Sequence, residues 1–159
     1  YPFGQLPCIT HNGKTIAQSG TITRYCANLS TLMPDDISHQ LDADMLMEFS
    51  NEIFSLFAKA KYAGDDLAQQ VGWQRVKTKQ LPEKLDYLVK FLGDKPFFSG
   101  DTVHAGDVAI FSVLNLAIEA GVDWTPSYPT LKAHYERVKN MGSINKYLEN
   151  KPNPYFVSQ

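Results

Sequence analysis

The sequence predicts an α+β protein in which a short β-hairpin and one helix precede an all-helical region. Three observations predict this fold class. Two short apolar runs near the N-terminus flank an Asn-Gly dipeptide, which is the strongest short-range signal for a hairpin. A helical period begins near residue 19, and after about residue 30 the strand-like pattern does not return.

The hairpin is expected to pair residues 6–10 with residues 15–17 through the turn His11-Asn12-Gly13-Lys14. Asn and Gly both tolerate the positive φ that such a turn requires.

Ser19 is the expected N-cap of the next helix, because a serine hydroxyl can accept a hydrogen bond from a first-turn N–H. One face of that helix would carry Ile22, Cys26 and Leu29. An isolated two-stranded hairpin is marginal in water, so we expect more of the sheet before Tyr1.

A linker is expected at residues 32–36, where Pro34 interrupts any helix. A long helix should then span about 36–62. Apolar residues recur in it at every fourth position and are expected to face the core: Ile37, Leu41, Met45, Phe49, Ile53 and Phe57.

Four further helices are expected. One spans about 66–92 and bends near Gly72; its inward residues would be Leu81, Leu85, Leu88 and Phe91. The segment 107–120 is apolar nearly all round, which predicts a central buried helix. Shorter helices should cover about 128–140 and 143–150. Pro152 and Pro154 favour an extended tail.

Composition excludes several classes of function. The chain has 159 residues and a net charge of −2, which gives no basic field for nucleic acid or anionic lipid. No apolar run approaches the roughly 18 residues of a membrane span. Cys8 and Cys26 are expected to be buried thiols in a reducing cytoplasm. Neither a C-x-x-C pair nor a histidine cluster indicates a metal site.

Four features occur in order near the N-terminus: Gln5-Leu6-Pro7, the hairpin, Gln18-Ser19 and Arg24-Tyr25. This order and spacing resemble the second half of the thioredoxin-like domain of cytosolic glutathione S-transferases of the sigma, alpha, mu and pi group. The resemblance covers essentially the whole chain. It implies a partial thioredoxin-like domain at 1–30 and an all-helical C-terminal domain at 36–159, without the family's first strand-helix-strand unit.

The resemblance implies a glutathione site. Leu6 would offer its backbone N–H and C=O to the cysteinyl part, with Pro7 as a cis-proline. Gln18 and Ser19 would hold the γ-glutamyl carboxylate, and Gln5 would reach the glycyl end or the cysteinyl backbone. The plainer alternatives are an ordinary strand start at Leu6-Pro7 and a helix cap at Ser19.

A row of carboxylates on the long helix is also notable. Asp44, Glu48 and Glu52 are spaced by four residues, and like charges at that spacing repel each other. In relatives, an acidic residue near this place reaches across a dimer to the amino group of the ligand, and Glu52 is the best candidate here. The alternatives are a solvated helix face and a divalent cation site of the kind that some sigma relatives have.

The implied activity is conjugation of the glutathione thiol to a small hydrophobic electrophile, or an isomerase or peroxidase reaction, in a cytoplasmic homodimer. Glutathione is the co-substrate, and no nucleic acid, membrane or metal partner is implied. The family's thiol-activating Tyr lies in the first strand, and none of the eight tyrosines here corresponds to it. We therefore assign no catalytic residue. A non-catalytic, crystallin-like structural or interaction protein is the alternative.

A second departure concerns the buried helix. The family opens this helix with Ser or Thr three residues before an Asp, in a capping box. Here His104 stands three residues before Asp107. The cap is therefore in doubt, while the helix itself is not.

Overall fold

The computed structural model describes residues 1–151, and these begin with the expected antiparallel hairpin. Strand β1 is Cys8–His11 and strand β2 is Lys14–Ala17. Their register leaves only Asn12 and Gly13 between them, at φ of 49° and 75°. The predicted turn is therefore confirmed, while β1 begins two residues later than expected.

Helix α1 is Ser19–Asn28, and its first residue corrects the predicted cap. Gln18 occupies the N-cap position at φ 72°, and no side chain caps the helix. The prediction that Ser19 is the N-cap is wrong, because Gln18 holds the non-helical N-cap conformation and Ser19 is already the first residue of the helix. The first intrahelical N–H comes from Ile22, which donates to the Gln18 carbonyl at 3.0 Å.

The remaining helices follow the predicted order. They are α2 Ile37–Lys61, α3 Asp66–Arg75, α4 Leu81–Leu92, α5 Ala105–Glu119, α6 Pro129–Lys139 and α7 Gly142–Asn150. A π-helical turn at Val76–Gln80 joins α3 to α4. The break in the predicted 66–92 helix therefore lies after Gly72 and not at it. The role of Gly72 is close packing, since a Cβ there would lie 3.1 Å from the Ala60 Cα.

The predicted inward face of α2 is half wrong. Ile53 and Phe57 are fully buried, but Ile37, Leu41 and Met45 are 66%, 58% and 55% exposed. A strict four-residue repeat advances about 400° per step, so its direction drifts by about 40° each time. Apolar residues at the two ends of the row therefore face different ways. The first half of α2 packs instead through Ala43, Leu46 and Met47.

The expected burial of Phe91, Cys8 and Cys26 is also corrected. In α4, Leu81, Leu85 and Leu88 are buried as predicted, but Leu92 takes the place of the partly exposed Phe91. Neither thiol is fully buried: Cys8 is half-buried and Cys26 is exposed.

Helix α5 forms the centre of the helical region. Eight of its residues are buried, as predicted. His104 is its N-cap residue, and the His104 backbone N–H donates to Asp107 Oδ2 at 2.9 Å. Asp107 therefore makes its part of the capping box although the N-cap residue is neither Ser nor Thr.

The hairpin unit contacts the helical region through a small apolar cluster. Ala27 of α1, Met47 of α2 and Ala105 of α5 form its buried part. The Leu32 carbonyl accepts the Ala105 N–H at 2.9 Å, which ties the linker to α5.

The domain boundary between residues 30 and 36 remains a prediction. The predicted extended tail lies mostly outside the described residues. Within residues 1–151, no helix is both long and apolar enough to cross a membrane.

Gly106 sets the distance between α5 and α2. A Cβ at this position would lie 2.8 Å from Leu46 Cδ1 and 3.0 Å from the Ala43 Cα. Gly106→Ala should therefore lower the free energy of unfolding by about 1–3 kcal/mol through overpacking, although alanine is the better helix former. Urea denaturation followed by circular dichroism measures the change. Gly64→Ala is the control, because a Cβ added there would have no atom beyond its chain neighbours within 4 Å in residues 1–151; equal effects of the two changes would contradict the prediction.

Candidate functional site

A small cavity lies where the residues leading into β1 meet the start of α1. Its volume is about 80 Å³. Five of the six residues predicted to bind glutathione line it, together with Phe3 and Ala17: Gln5, Leu6, Pro7, Gln18 and Ser19. Residues separated by about a dozen positions in the chain are thus brought to one place by the hairpin.

The Leu6–Pro7 segment forms one wall of this cavity. The Leu6–Pro7 peptide bond is cis, as the resemblance implies. The Leu6 side chain is 76% exposed. Among the described residues, the Leu6 backbone N–H and C=O have no hydrogen-bond partner. Both groups are therefore free to pair with an extended peptide in the manner of an added strand.

The amino end of α1 forms the opposite wall. The N–H groups of Ser19, Gly20 and Thr21 precede the first intrahelical hydrogen bond, so they carry the partial positive charge of a helix N-terminus. Ser19 is exposed, and its hydroxyl has no partner among the described residues. A hydroxyl and free N–H groups at this position are suited to a carboxylate.

Arg24 fixes α1 against α2, which sequence reasoning did not anticipate. Its guanidinium pairs with both Asp44 and Glu48. Hydrogen bonds to Asp44 and then Glu48 raise the pKa of Arg24. Two of the three carboxylates in the predicted acidic row are thus explained by one cation. The spacing of that row was the available signal, but nothing in it identifies the partner.

Glu52, the sixth predicted residue, lies apart from the small cavity in this chain. Its Oε2 accepts a hydrogen bond from Lys84 Nζ at 2.7 Å. A role across a dimer, in the partner's site, stays a prediction. The acidic row does not form a cation site here: within residues 1–151, no three or more His, Cys, Asp or Glu side chains are grouped to hold a metal.

A larger cleft adjoins the small cavity, and the two share Ser19. It has a volume of about 610 Å³ and lies between α1, α2 and α5. Its lining is mainly apolar and includes Phe54, Val108 and Val113, with Asn51 among its few polar groups. Sequence reasoning missed this cleft because it depends on how three helices from distant parts of the chain approach each other.

Comparisons with known proteins place this geometry in context. A model of the glutathione S-transferase C-terminal domain matches residues 51–151. Hematopoietic prostaglandin D synthase of Gallus gallus is 29% identical over 151 residues, which span 95% of this chain and 75% of that protein. Glutathione S-transferase Mu 1 of Bos taurus is 25% identical over 158 residues, which span 98% of this chain and 71% of that protein.

Solved structures agree with these sequence matches. The structure of rat hPGDS complexed with a quinoline superposes with a TM-score of 0.86 and 26% identity, covering 96% of this chain and 76% of that one. The structure of a major nematode-specific GST of C. elegans gives a TM-score of 0.79 and 29% identity, covering 98% of this chain and 77% of that one. These likenesses confirm the predicted fold class, a partial thioredoxin-like unit followed by an all-helical domain.

Proposed function

Because this chain belongs to the glutathione S-transferase family, we propose that it binds glutathione in the small cavity and uses it as co-substrate. The observation that carries the proposal is the convergence of Gln5, Leu6, Pro7, Gln18 and Ser19 on one cavity beside the free amino end of α1. Relatives named as transferases and as a prostaglandin D synthase support either conjugation to a small hydrophobic electrophile or an isomerase reaction.

The proposed binding mode follows from the two walls of the cavity. The cysteinyl part of glutathione pairs with the unpaired backbone groups of Leu6. The γ-glutamyl carboxylate lies at the amino end of α1, where Ser19 and the free N–H groups donate hydrogen bonds to it. Gln18 binds the same carboxylate, and Gln5 contacts the other end of the tripeptide.

Chemistry at sulfur needs the thiolate. A thiol with a pKa near 8.5 is only a few per cent ionised at pH 7, so a donor aimed at sulfur would raise the reactive fraction. None of the eight tyrosines corresponds to the family's thiol-activating residue. We therefore assign glutathione anchoring, and not thiol activation, to the residues of this chain.

We also propose that the protein forms a two-fold homodimer through the exposed row on the first half of α2. Ile37, Leu41 and Met45 are all more than half exposed and lie one turn apart. Exposed apolar patches mark interaction sites, and in a two-fold dimer the same patch of each subunit forms the contact. In this arrangement Glu52 reaches the amino group of the glutathione bound to the partner.

The anchoring role of Ser19 is directly testable. Ser19→Ala should weaken glutathione binding by about 1.5–3 kcal/mol, because it removes a hydrogen bond to a charged group. This corresponds to a rise in Kd of roughly 10- to 150-fold. Isothermal titration calorimetry measures the affinity.

The control for this experiment is Ser38→Ala, which removes an exposed hydroxyl from α2, away from the cavity. Unchanged affinity in Ser19→Ala would exclude Ser19 from the site. Glutathione binding without turnover of any electrophile would instead favour the non-catalytic alternative, so affinity and turnover should be measured on the same sample.

A further inference from the structure

Asn51 of α2 lies beside the amino end of α1. The large cleft is lined by Ser19, Gly20 and Asn51, and Ser19 also lines the small cavity. The Asn51 residue is half-buried, so part of it stays accessible from the cleft. The proposed glutathione site therefore continues into the cleft on this side, where α2 supplies a polar side chain.

The absence of a side chain at Gly20 brings the Asn51 amide close to the first turn of α1. A Cβ built at Gly20 would lie 3.7 Å from Asn51 Nδ2. It would also lie 3.1 Å from Arg24 Nη1 and 3.6 Å from Glu48 Oε1. An amide, a guanidinium and a carboxylate thus lie around this glycine, whose own N–H is one of the free groups at the helix start.

Of these three side chains, Asn51 is the one available to a ligand. Arg24 donates hydrogen bonds to Asp44 and Glu48, so the two charged groups beside Gly20 are already paired. Neither Arg24 nor Glu48 lines the cleft or the small cavity, whereas Asn51 lines the cleft. Within residues 1–151, the Asn51 side-chain amide has no hydrogen-bond partner.

The chemistry of the γ-glutamyl end indicates what this amide would bind. That end carries a carboxylate and an ammonium on the same carbon. The free N–H groups at the start of α1 favour the carboxylate. A side-chain amide offers two further N–H donors, and hydrogen bonds to a carboxylate are among the stronger ones. Because Nδ2 is the Asn51 atom nearest to Gly20, the amide is suited to the same carboxylate.

We propose that Asn51 donates a hydrogen bond to the γ-glutamyl carboxylate of glutathione and thereby helps to select ligands that carry this group. The proposal rests on the proposed glutathione site and adds α2 to it as a third wall. Ser19 and the helix N–H groups hold the carboxylate from α1, and Asn51 holds it from the side of the cleft.

Isothermal titration calorimetry with three peptides tests the proposal. They are glutathione, glutaryl-Cys-Gly, which keeps the carboxylate and lacks the amine, and 4-aminobutanoyl-Cys-Gly, which keeps the amine and lacks the carboxylate. Displacement of bound glutathione measures the affinity of the weaker peptides. Asn51→Ala should weaken the two peptides that carry the carboxylate at least fivefold and change the affinity for the third less than twofold.

Two further variants frame this result. Ser19→Ala should show the same pattern, because Ser19 binds the same carboxylate in the proposed site. Gln70→Ala removes an exposed amide from α3, outside both cavities, and should leave all three affinities unchanged.

Three results would overturn the proposal. The first is an unchanged affinity for glutathione in Asn51→Ala. The second is equal weakening of all three peptides, which would show that Asn51 acts through the packing of α2 against α1. The third is a loss confined to the two peptides that carry an amine, which would assign Asn51 to the ammonium. Failure of the proposed function itself is distinguishable, because then the natural protein would not bind glutathione.

Discussion

Asp107→Ala should lower the free energy of unfolding by about 3–5 kcal/mol, because it leaves several buried donors without an acceptor. The Asp107 carboxylate is 1% exposed. It accepts hydrogen bonds from the Phe98 N–H and from His134 Nε2 at Oδ1, and from the His104 N–H at Oδ2, each at 2.9 Å. One side chain thus joins α6, the start of α5 and the loop between α4 and α5.

The protonation of His134 follows from the same contacts. His134 is fully buried, and its Nδ1 has no partner among the described residues. Its Nε2 faces the Asp107 carboxylate, which can only accept, so Nε2 carries the proton. Loss of the carboxylate would therefore strand this N–H together with two backbone N–H groups.

Urea denaturation monitored by circular dichroism measures the loss. Asp94→Ala is the matched control, since this aspartate is exposed and should change stability by less than about 0.5 kcal/mol. Asp107→Asn keeps one carbonyl acceptor, so its free energy of unfolding should lie between that of Asp107→Ala and that of the natural protein. A loss below about 1 kcal/mol in Asp107→Ala would show that water replaces the carboxylate and that the network contributes little.

Features that depend on neighbouring residues could be predicted from the sequence. The Asn12-Gly13 turn needs only two residues that accept positive φ, and both have it. The α5 segment is apolar on nearly all sides, so its burial could be predicted without deciding which face points to the core. The resemblance to glutathione S-transferases implied the five cavity residues, and the hairpin brings them together.

Features that depend on distant parts of the chain could not be predicted. The N-cap of α1 was also misplaced, although it is local: the preference of serine for caps placed it at Ser19, whereas Gln18 occupies it at a positive φ that glutamine seldom adopts. The exposed row of Ile37, Leu41 and Met45 was predicted to face the core, because the prediction ignored the change in direction along a four-residue repeat. Likewise, the pairing of Arg24 with Asp44 joins residues 20 positions apart, and no local pattern specifies it.

The exposed row on α2 gives the second large prediction. Leu41→Glu combined with Met45→Glu should raise the dimer Kd at least 1,000-fold, about 4 kcal/mol. In the proposed dimer each change places a carboxylate in a buried apolar contact, which costs several kcal/mol per charge. Sedimentation equilibrium at micromolar concentration measures the Kd.

The chain offers a closely matched control. Leu67 and Val71 form another exposed apolar pair at the same spacing, on α3, and are 70% and 61% exposed. Leu67→Glu/Val71→Glu adds the same charge to a comparable surface and should leave the dimer intact. A monomeric natural protein, or equal dissociation by both pairs of changes, would contradict an interface on α2. If Glu52 completes the partner's site, Leu41→Glu/Met45→Glu should also weaken glutathione binding, and Leu67→Glu/Val71→Glu should not. The reason is that a separated subunit keeps its own Ser19 but loses the Glu52 carboxylate of its partner.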